Sequence, residues 1–164
     1  MSNVKKEGEC CPAFDPEPWQ DKEFIWKDKL FIRETIPQFL HMPLPGSFGK
    51  AVGRMWEKIK KSQAETDIND FIMLSSETSP WKGEIYINTT NEVPGAKNVK
   101  LSGTFLTKVF DGPYNDVPKW IKEMIPYAAE KGRTIKKYYF FYTTCPKCAK
   151  KFGHNYVVAF TEVI

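Results

Sequence analysis

The chain is patterned twice in the same order. An apolar strand pattern ends at Phe39-Leu40, and a helix pattern carrying Trp56 follows it. A second strand pattern holds Phe105-Leu106 and leads to a helix pattern carrying Trp120. Two further strand-like runs follow each helix. A strand-helix-strand-strand unit used twice predicts an α+β fold, a pseudo-symmetric antiparallel sheet with both helices on one side. A cleft between two such halves is a natural seat for a small molecule.

At 164 residues the chain is long enough to bury a core and predicts one domain over residues 23–164, with pseudo-repeats at about 24–92 and 97–164. Residues 1–22 read as an extended arm, rich in Pro, Glu and Lys. Cys10, Cys11, Phe14 and Trp19 give that arm apolar anchors, so it is expected to dock on the domain. Phe24 to Leu44 reads as extended, interrupted at Pro37. Ser47 is the candidate cap of the first helix, which runs to about Gln63 with Phe48, Val52, Met55, Trp56 and Ile59 on one face. Phe71 to Leu74 reads as a short strand and Ser76 to Gly83 as a turn region. In Glu84 to Thr89, Ile85 and Ile87 alternate with Glu84 and Tyr86. In the second half, Val99 to Phe110 reads as strand. Pro118 suits the first turn of the next helix, and Pro126 should kink or weaken it. Tyr138 to Thr144 and Asn155 to Val163 are the last strands.

Hydrophobic content of 41% and charged content of 27% are ordinary for a globular protein, but 15% aromatic residues is high. Those rings belong either to the core or to the lining of an apolar pocket. The net charge of +4 is spread along the chain and is too diffuse for a nucleic-acid face. No signal-peptide pattern opens the chain and no run approaches a membrane span, which predicts a cytoplasmic protein without a membrane partner.

Four cysteines then read as reduced thiols or metal ligands rather than disulfides. Cys145-Pro-Lys-Cys148 has the form of a zinc knuckle, and Cys10-Cys11 would complete a tetrahedral site if the arm folded back, with His154 in reserve. Three readings stay open: a structural zinc clamp, unmetallated thiols, and a redox switch. A thioredoxin-like motif does not fit, because only sixteen residues follow Cys148 and they read as strand. No cofactor is required for activity on any of these readings.

No nucleophile elbow, phosphate loop, zincin motif or dinucleotide fingerprint is present. The candidates for chemistry are single residues. His41, at a strand end, is either a turn histidine or a general base at the mouth of a cleft. Glu84 is either a solvated strand-face carboxylate or a desolvated acid–base group among Trp81, Tyr86 and other aromatics. Tyr114, at the turn into the second helix, either caps the core or reaches a ligand. Glu123 reads as a helix-surface carboxylate.

The segment Gly103-Thr-Phe-Leu-Thr-Lys-Val-Phe-Asp-Gly-Pro-Tyr114, followed by a helix with Trp120, resembles the GyrI-like family (SOUL/GyrI superfamily). The duplicated element order matches that family over about residues 24–164. The Cys10-Cys11-Pro and Cys145-Pro-Lys-Cys148 motifs resemble those of a small stand-alone group, some of whose members are loosely labelled hydrolases. The resemblance implies a cleft that binds lipophilic, often cationic compounds, as in effector modules of multidrug-responsive regulators; some stand-alone relatives hydrolyse strained electrophiles. No helix-turn-helix precedes the domain, so a complete regulator is not expected. The family's central glutamate lies in a Glu-x-Tyr pattern in the second half. Here the matching strand reads Phe140-Phe-Tyr142, which keeps the tyrosine and lacks the carboxylate. Glu84-Ile-Tyr86 repeats the pattern in the first half and is the candidate substitute.

The functional expectation is therefore a binding protein for apolar or cationic small molecules. Trp81, Tyr86, Tyr114, Trp120, Phe140 and Tyr142 would form the aromatic wall and Glu84 the charge. One alternative is a hydrolase in which Glu84 or His41 activates water while Tyr114 or Tyr142 steadies the leaving group. The other is a zinc-stabilised interaction module.

Overall fold

The computed structural model describes residues 15–40, 42–67, 70–113, 116–143 and 153–164. The architecture is α+β, with antiparallel strands and two helices. In chain order the elements are β1 (Lys22–Phe39), β2 (Met42–Pro43), α1 (Ser47–Lys61), β3 (Met73–Ser79), β4 (Lys82–Asn88), β5 (Lys97–Asp111), α2 (Val117–Glu130), β6 (Ile135–Tyr142) and β7 (Tyr156–Val163). The chain divides into two compact units. One is Lys27–Ser102; the other joins the described residues up to Trp26 to those of Gly103–Ile164.

In the Lys27–Ser102 unit, β4 lies between β1 and β3, antiparallel to both. Helix α1 forms because its apolar residues recur at three- and four-residue intervals. Ala51, Met55 and Ile59 are buried against Ile32, Ile36, Ile85 and Ile87, with Phe48, Val52 and Trp56 packed at the edge. Gly46, at φ +77°, takes the cap position of α1, and the Ser47 hydroxyl turns back to the Leu44 carbonyl at 2.7 Å instead of capping. Lys58, Lys60 and Lys61 fall in the last turn, where the helix dipole favours cations.

Strand β3 reaches Ser79, well into the expected turn region, because each backbone step from Met73 to Glu77 has a β4 partner. Only Pro80 and Trp81 remain as the turn. Asn88 closes the other end. Its side chain accepts from the Ile72 amide and donates to the Asp70 carbonyl, both at 2.8 Å, which satisfies a buried amide completely enough to fix the entry into β3.

In the second unit, β7 is the middle strand, antiparallel to β5 and β6. Trp120, Met124 and Ala128 are the buried stripe of α2. Pro126 lies inside the helix without ending it. It sits on the exposed face, where water can satisfy the carbonyl that proline leaves without a donor.

The sheet face opposite the α2 cluster carries an aromatic cluster. Trp19 packs on Phe24, Phe141 and Phe160, with centroids 5.6, 6.2 and 5.6 Å away. Trp26 meets Phe105 at 4.5 Å, and Phe105 meets Tyr139 at 6.1 Å. The main chain ahead of β1 is tied down as well. The Thr107 hydroxyl donates to the Trp19 carbonyl at 2.6 Å, and the Gln20 side chain accepts from the Val109 amide at 2.7 Å. A good share of the aromatic excess is therefore core.

Candidate functional site

Strand β4 has two unlike faces and both are buried. Ile85 and Ile87 point to α1. Glu84, Tyr86 and Asn88 point away from it, and each is only 4% exposed. Register places Thr35 and Ser76 beside Glu84, and Arg33 and Leu74 beside Tyr86. Phe31 shares the face and meets the Tyr86 ring edge-on at 6.4 Å. A solvated strand-face glutamate is thus excluded: this carboxylate is removed from water.

Its partners are close. The Tyr86 hydroxyl donates to Glu84 Oε2 at 3.1 Å, and Arg33 Nη1 lies 3.3 Å from the same oxygen. The Arg33 Nε is buried with no hydrogen-bond partner among the described residues. Arg33 belongs to no motif in the sequence. Its signal was parity, since it falls two residues from Phe31 and alternates with the core residue Ile32.

Burial, followed by the Glu84 charge and the hydrogen bond to it, pushes the Tyr86 phenol up to about 12, while Arg33 works in the opposite direction. Tyr86 therefore remains a neutral donor across the physiological range. The linkage has a definite sign. A phenol raised from its ordinary value of about 10 stabilises the fold fully below that pH, and the contribution is lost as pH rises through about 12. Spectrophotometric titration of Tyr86→Phe should lose one phenol from the class that ionises near 12. Tyr127, raised to about 12 by burial and then by Asp21 and Glu23, should remain in that class. Loss of a phenol ionising near 10 instead would show that Tyr86 is solvated.

The other expected site residues are dispersed. Trp81 lies in the β3–β4 turn, 55% exposed, against Phe39 at 5.6 Å. Trp120 and Phe140 are buried in the cluster beneath α2, where Trp120 stacks on Phe110 at 5.2 Å and 12°, and Tyr142 packs at its edge. Glu123 is on the exposed face of α2. His41, Tyr114, Cys10, Cys11, Cys145 and Cys148 lie outside the described residues. Among the described residues no group of three or more His, Cys, Asp or Glu stands ready for a metal.

A second polar cluster sits at the end of β5 and β7. His154 Nδ1 is 2.7 Å from Asp111 Oδ2, and the Asn155 amide donates to Asp111 Oδ1 at 2.9 Å. His154 stacks on Tyr156 at 5.1 Å. The His154 hydrogen bond and the Asn155 amide hold the Asp111 carboxyl below its ordinary range, against a desolvation that is the largest single influence. The residues are forty-three positions apart, so only strand register brings them together.

The family model described as "Bacterial hydrolase" matches residues 1–163. The chain belongs to the Bacterial hydrolase family. Comparison with curated proteins gives no match. Among solved structures, this Bacterial hydrolase family member is similar to a hydrolase from Listeria innocua, with 14% identity and a TM-score of 0.65 over 88% of this chain and 92% of that one. An uncharacterized conserved protein from Listeria innocua matches with the same figures. The C-terminal domain of EcmrR matches with 9% identity and a TM-score of 0.67, over 89% of this chain and 98% of that one. Identities this low establish a shared fold.

Proposed function

We propose that this protein binds lipophilic, cationic small molecules, with Glu84 as the charge and Tyr86 as the adjoining aromatic donor, and that its two strand-helix-strand-strand runs are a duplication of GyrI-like type. The observation that carries the reading is the burial of Glu84 on a face where Phe31, Leu74 and Tyr86 adjoin the polar side chains of Arg33, Thr35, Ser76 and Asn88. A carboxylate withdrawn from water costs free energy, and a strand does not require one there. A lipophilic cation would recover that cost through charge, ring contact and apolar burial together. Arg33 holds the carboxylate when no ligand is bound, and such a ligand would share or displace it.

The test is a thermal-shift and calorimetric comparison of matched cationic and neutral aromatic compounds. Wild-type protein should be stabilised by the cations, since a ligand specific for the folded state must raise the melting temperature. Glu84→Gln should lose about tenfold or more in cation affinity, roughly 1.4 kcal/mol, and keep its response to the neutral compounds. Equal loss for both classes would remove the charge from the reading.

The family description and the Listeria innocua neighbour favour a second reading, hydrolysis of a small electrophile. Glu84 would take a proton from water as the water oxygen attacks the electrophilic carbon and the bond from that carbon to its leaving group breaks, and the protonated Glu84 would then return the proton to the departing group. Glu84→Gln would then abolish turnover, followed by mass spectrometry of the products, while affinity stayed largely intact. The two readings are separated by which property the one substitution destroys.

A further inference from the structure

Five large apolar side chains stand in water at one end of the Lys27–Ser102 unit, at the turns that begin two to three residues beyond Glu84 and its register partner Thr35. Phe39, Leu40, Met42, Leu44 and Trp81 are each between 43% and 64% exposed. They come from two adjoining turns, the link from β1 through β2 towards α1 and the tip between β3 and β4. The turns are fastened to each other. The Gln38 amide donates to the Trp81 carbonyl at 2.8 Å, and Phe39 packs edge-on against Trp81. Met42 is the register partner of Phe39, and the Leu44 amide donates to the Pro37 carbonyl at 3.2 Å. On both sides of the first turn, at Gln38, Phe39, Met42 and Leu44, the described backbone is tied by hydrogen bonds or strand register.

Leu40 makes the arrangement costly. Its φ of +46° is left-handed, a conformation that turns normally give to glycine or asparagine. A bulky residue held there is still 57% exposed, so much of its side chain gains no burial in return. Contiguous exposed apolar surface of this kind marks an interaction site.

The charges around the patch indicate the partner. Lys82 directly follows Trp81, and the Lys50 side chain runs past Gly46, within 4.0 Å of where a methyl group there would lie. Lys50 is in the first turn of α1, which carries no acidic residue although the helix dipole favours one there. Cationic side chains and an exposed helix start therefore border the apolar tips. Protruding turns with a Trp, a Phe and aliphatic ends, bordered by lysines, match the interface of a bilayer with anionic headgroups. We propose that these two turns seat the protein on an anionic lipid surface. The contact is interfacial, and no helix among the described residues is long and apolar enough to span a membrane. The inference is independent of the Glu84 reading and survives its failure.

The experiment is vesicle flotation of the full chain with phosphatidylcholine alone and with phosphatidylcholine containing phosphatidylglycerol, read alongside tryptophan quenching by brominated lipid. Partitioning onto the anionic vesicles that falls at high salt is expected. Phe39→Ser/Trp81→Ser should lower it about tenfold or more with the fold retained by circular dichroism, because both side chains are already exposed. Lys50→Glu/Lys82→Glu should lower it by several-fold at low salt. Absence of binding, or equal binding by the serine variant, overturns the proposal. So does a wild-type dimer in sedimentation that the serine variant makes monomeric, since the patch would then be covered by a second copy.

Discussion

Replacing Trp120 with alanine is expected to destabilise the protein by about 3–5 kcal/mol, measured by urea unfolding, and to lower the melting temperature by roughly 10 °C. The indole is 4% exposed and lies nearly parallel to the Phe110 ring. Met124, Phe140, Val157 and Ala159 complete its surroundings. A methyl group on Gly112 would come within 3.4 Å of the indole, so the main chain of that loop is packed against it too. Removing the ring leaves a cavity bounded by a sheet and a helix, neither of which can collapse far. Trp120→Phe should cost much less, since most of the ring contact with Phe110 survives. A loss below about 1 kcal/mol for the alanine variant would mean that the indole faces open space, as a ligand-wall residue does, and is not packed core.

The elements that were legible in the sequence are those whose side chains carry a strong period. The spacing of Phe48, Val52, Met55, Trp56 and Ile59 defines α1, and the structure buries that stripe with Ala51 added to it. The alternation of Ile85 and Ile87 with Glu84 and Tyr86 defines β4 and assigns its two faces. It does not say whether the polar face is wet, because burial is set by what the rest of the chain brings to it. Ser76-Glu77-Thr78-Ser79 reads as a turn on composition, yet it extends β3, because backbone pairing to β4 outweighs weak strand propensity. Pro126 reads as a residue that should kink or weaken its helix, and α2 continues through it because Trp120, Met124 and Ala128 bury the opposite face. The aromatic residues were the least decidable. A Phe or Trp is equally at home in a core or a pocket, and only the contacts among Trp19, Trp26, Phe105 and Phe160 show that the two phenylalanines are core and that the two half-buried tryptophans pack onto it. The Asp111–His154 pair carries no local signal at all.

Arg33→Met should destabilise the fold by about 2 kcal/mol, and Glu84→Gln in the same chain should restore more than half of that. The single variant leaves a buried carboxylate without its guanidinium, which is the expensive way to break a buried ion pair. The full cost of a sealed pair is not expected, because the Arg33 side chain is 26% exposed while that of Glu84 is 5% exposed, and water screens the first. In the double variant both charges of this pair are gone, and the amide oxygen still accepts from Tyr86. The coupling, read as the departure from additivity in urea unfolding, should exceed about 1 kcal/mol. Tyr86 supplies an independent readout. Arg33 lowers the ionisation of the phenol and Glu84 raises it, so the phenol should titrate higher in Arg33→Met and lower in Glu84→Gln. Movement of the phenol in those opposite directions would establish one electrostatic unit of three groups. Additive stabilities with an unmoved phenol would reduce Arg33 to a neighbour, and a ligand would then have no need to displace the guanidinium to reach Glu84.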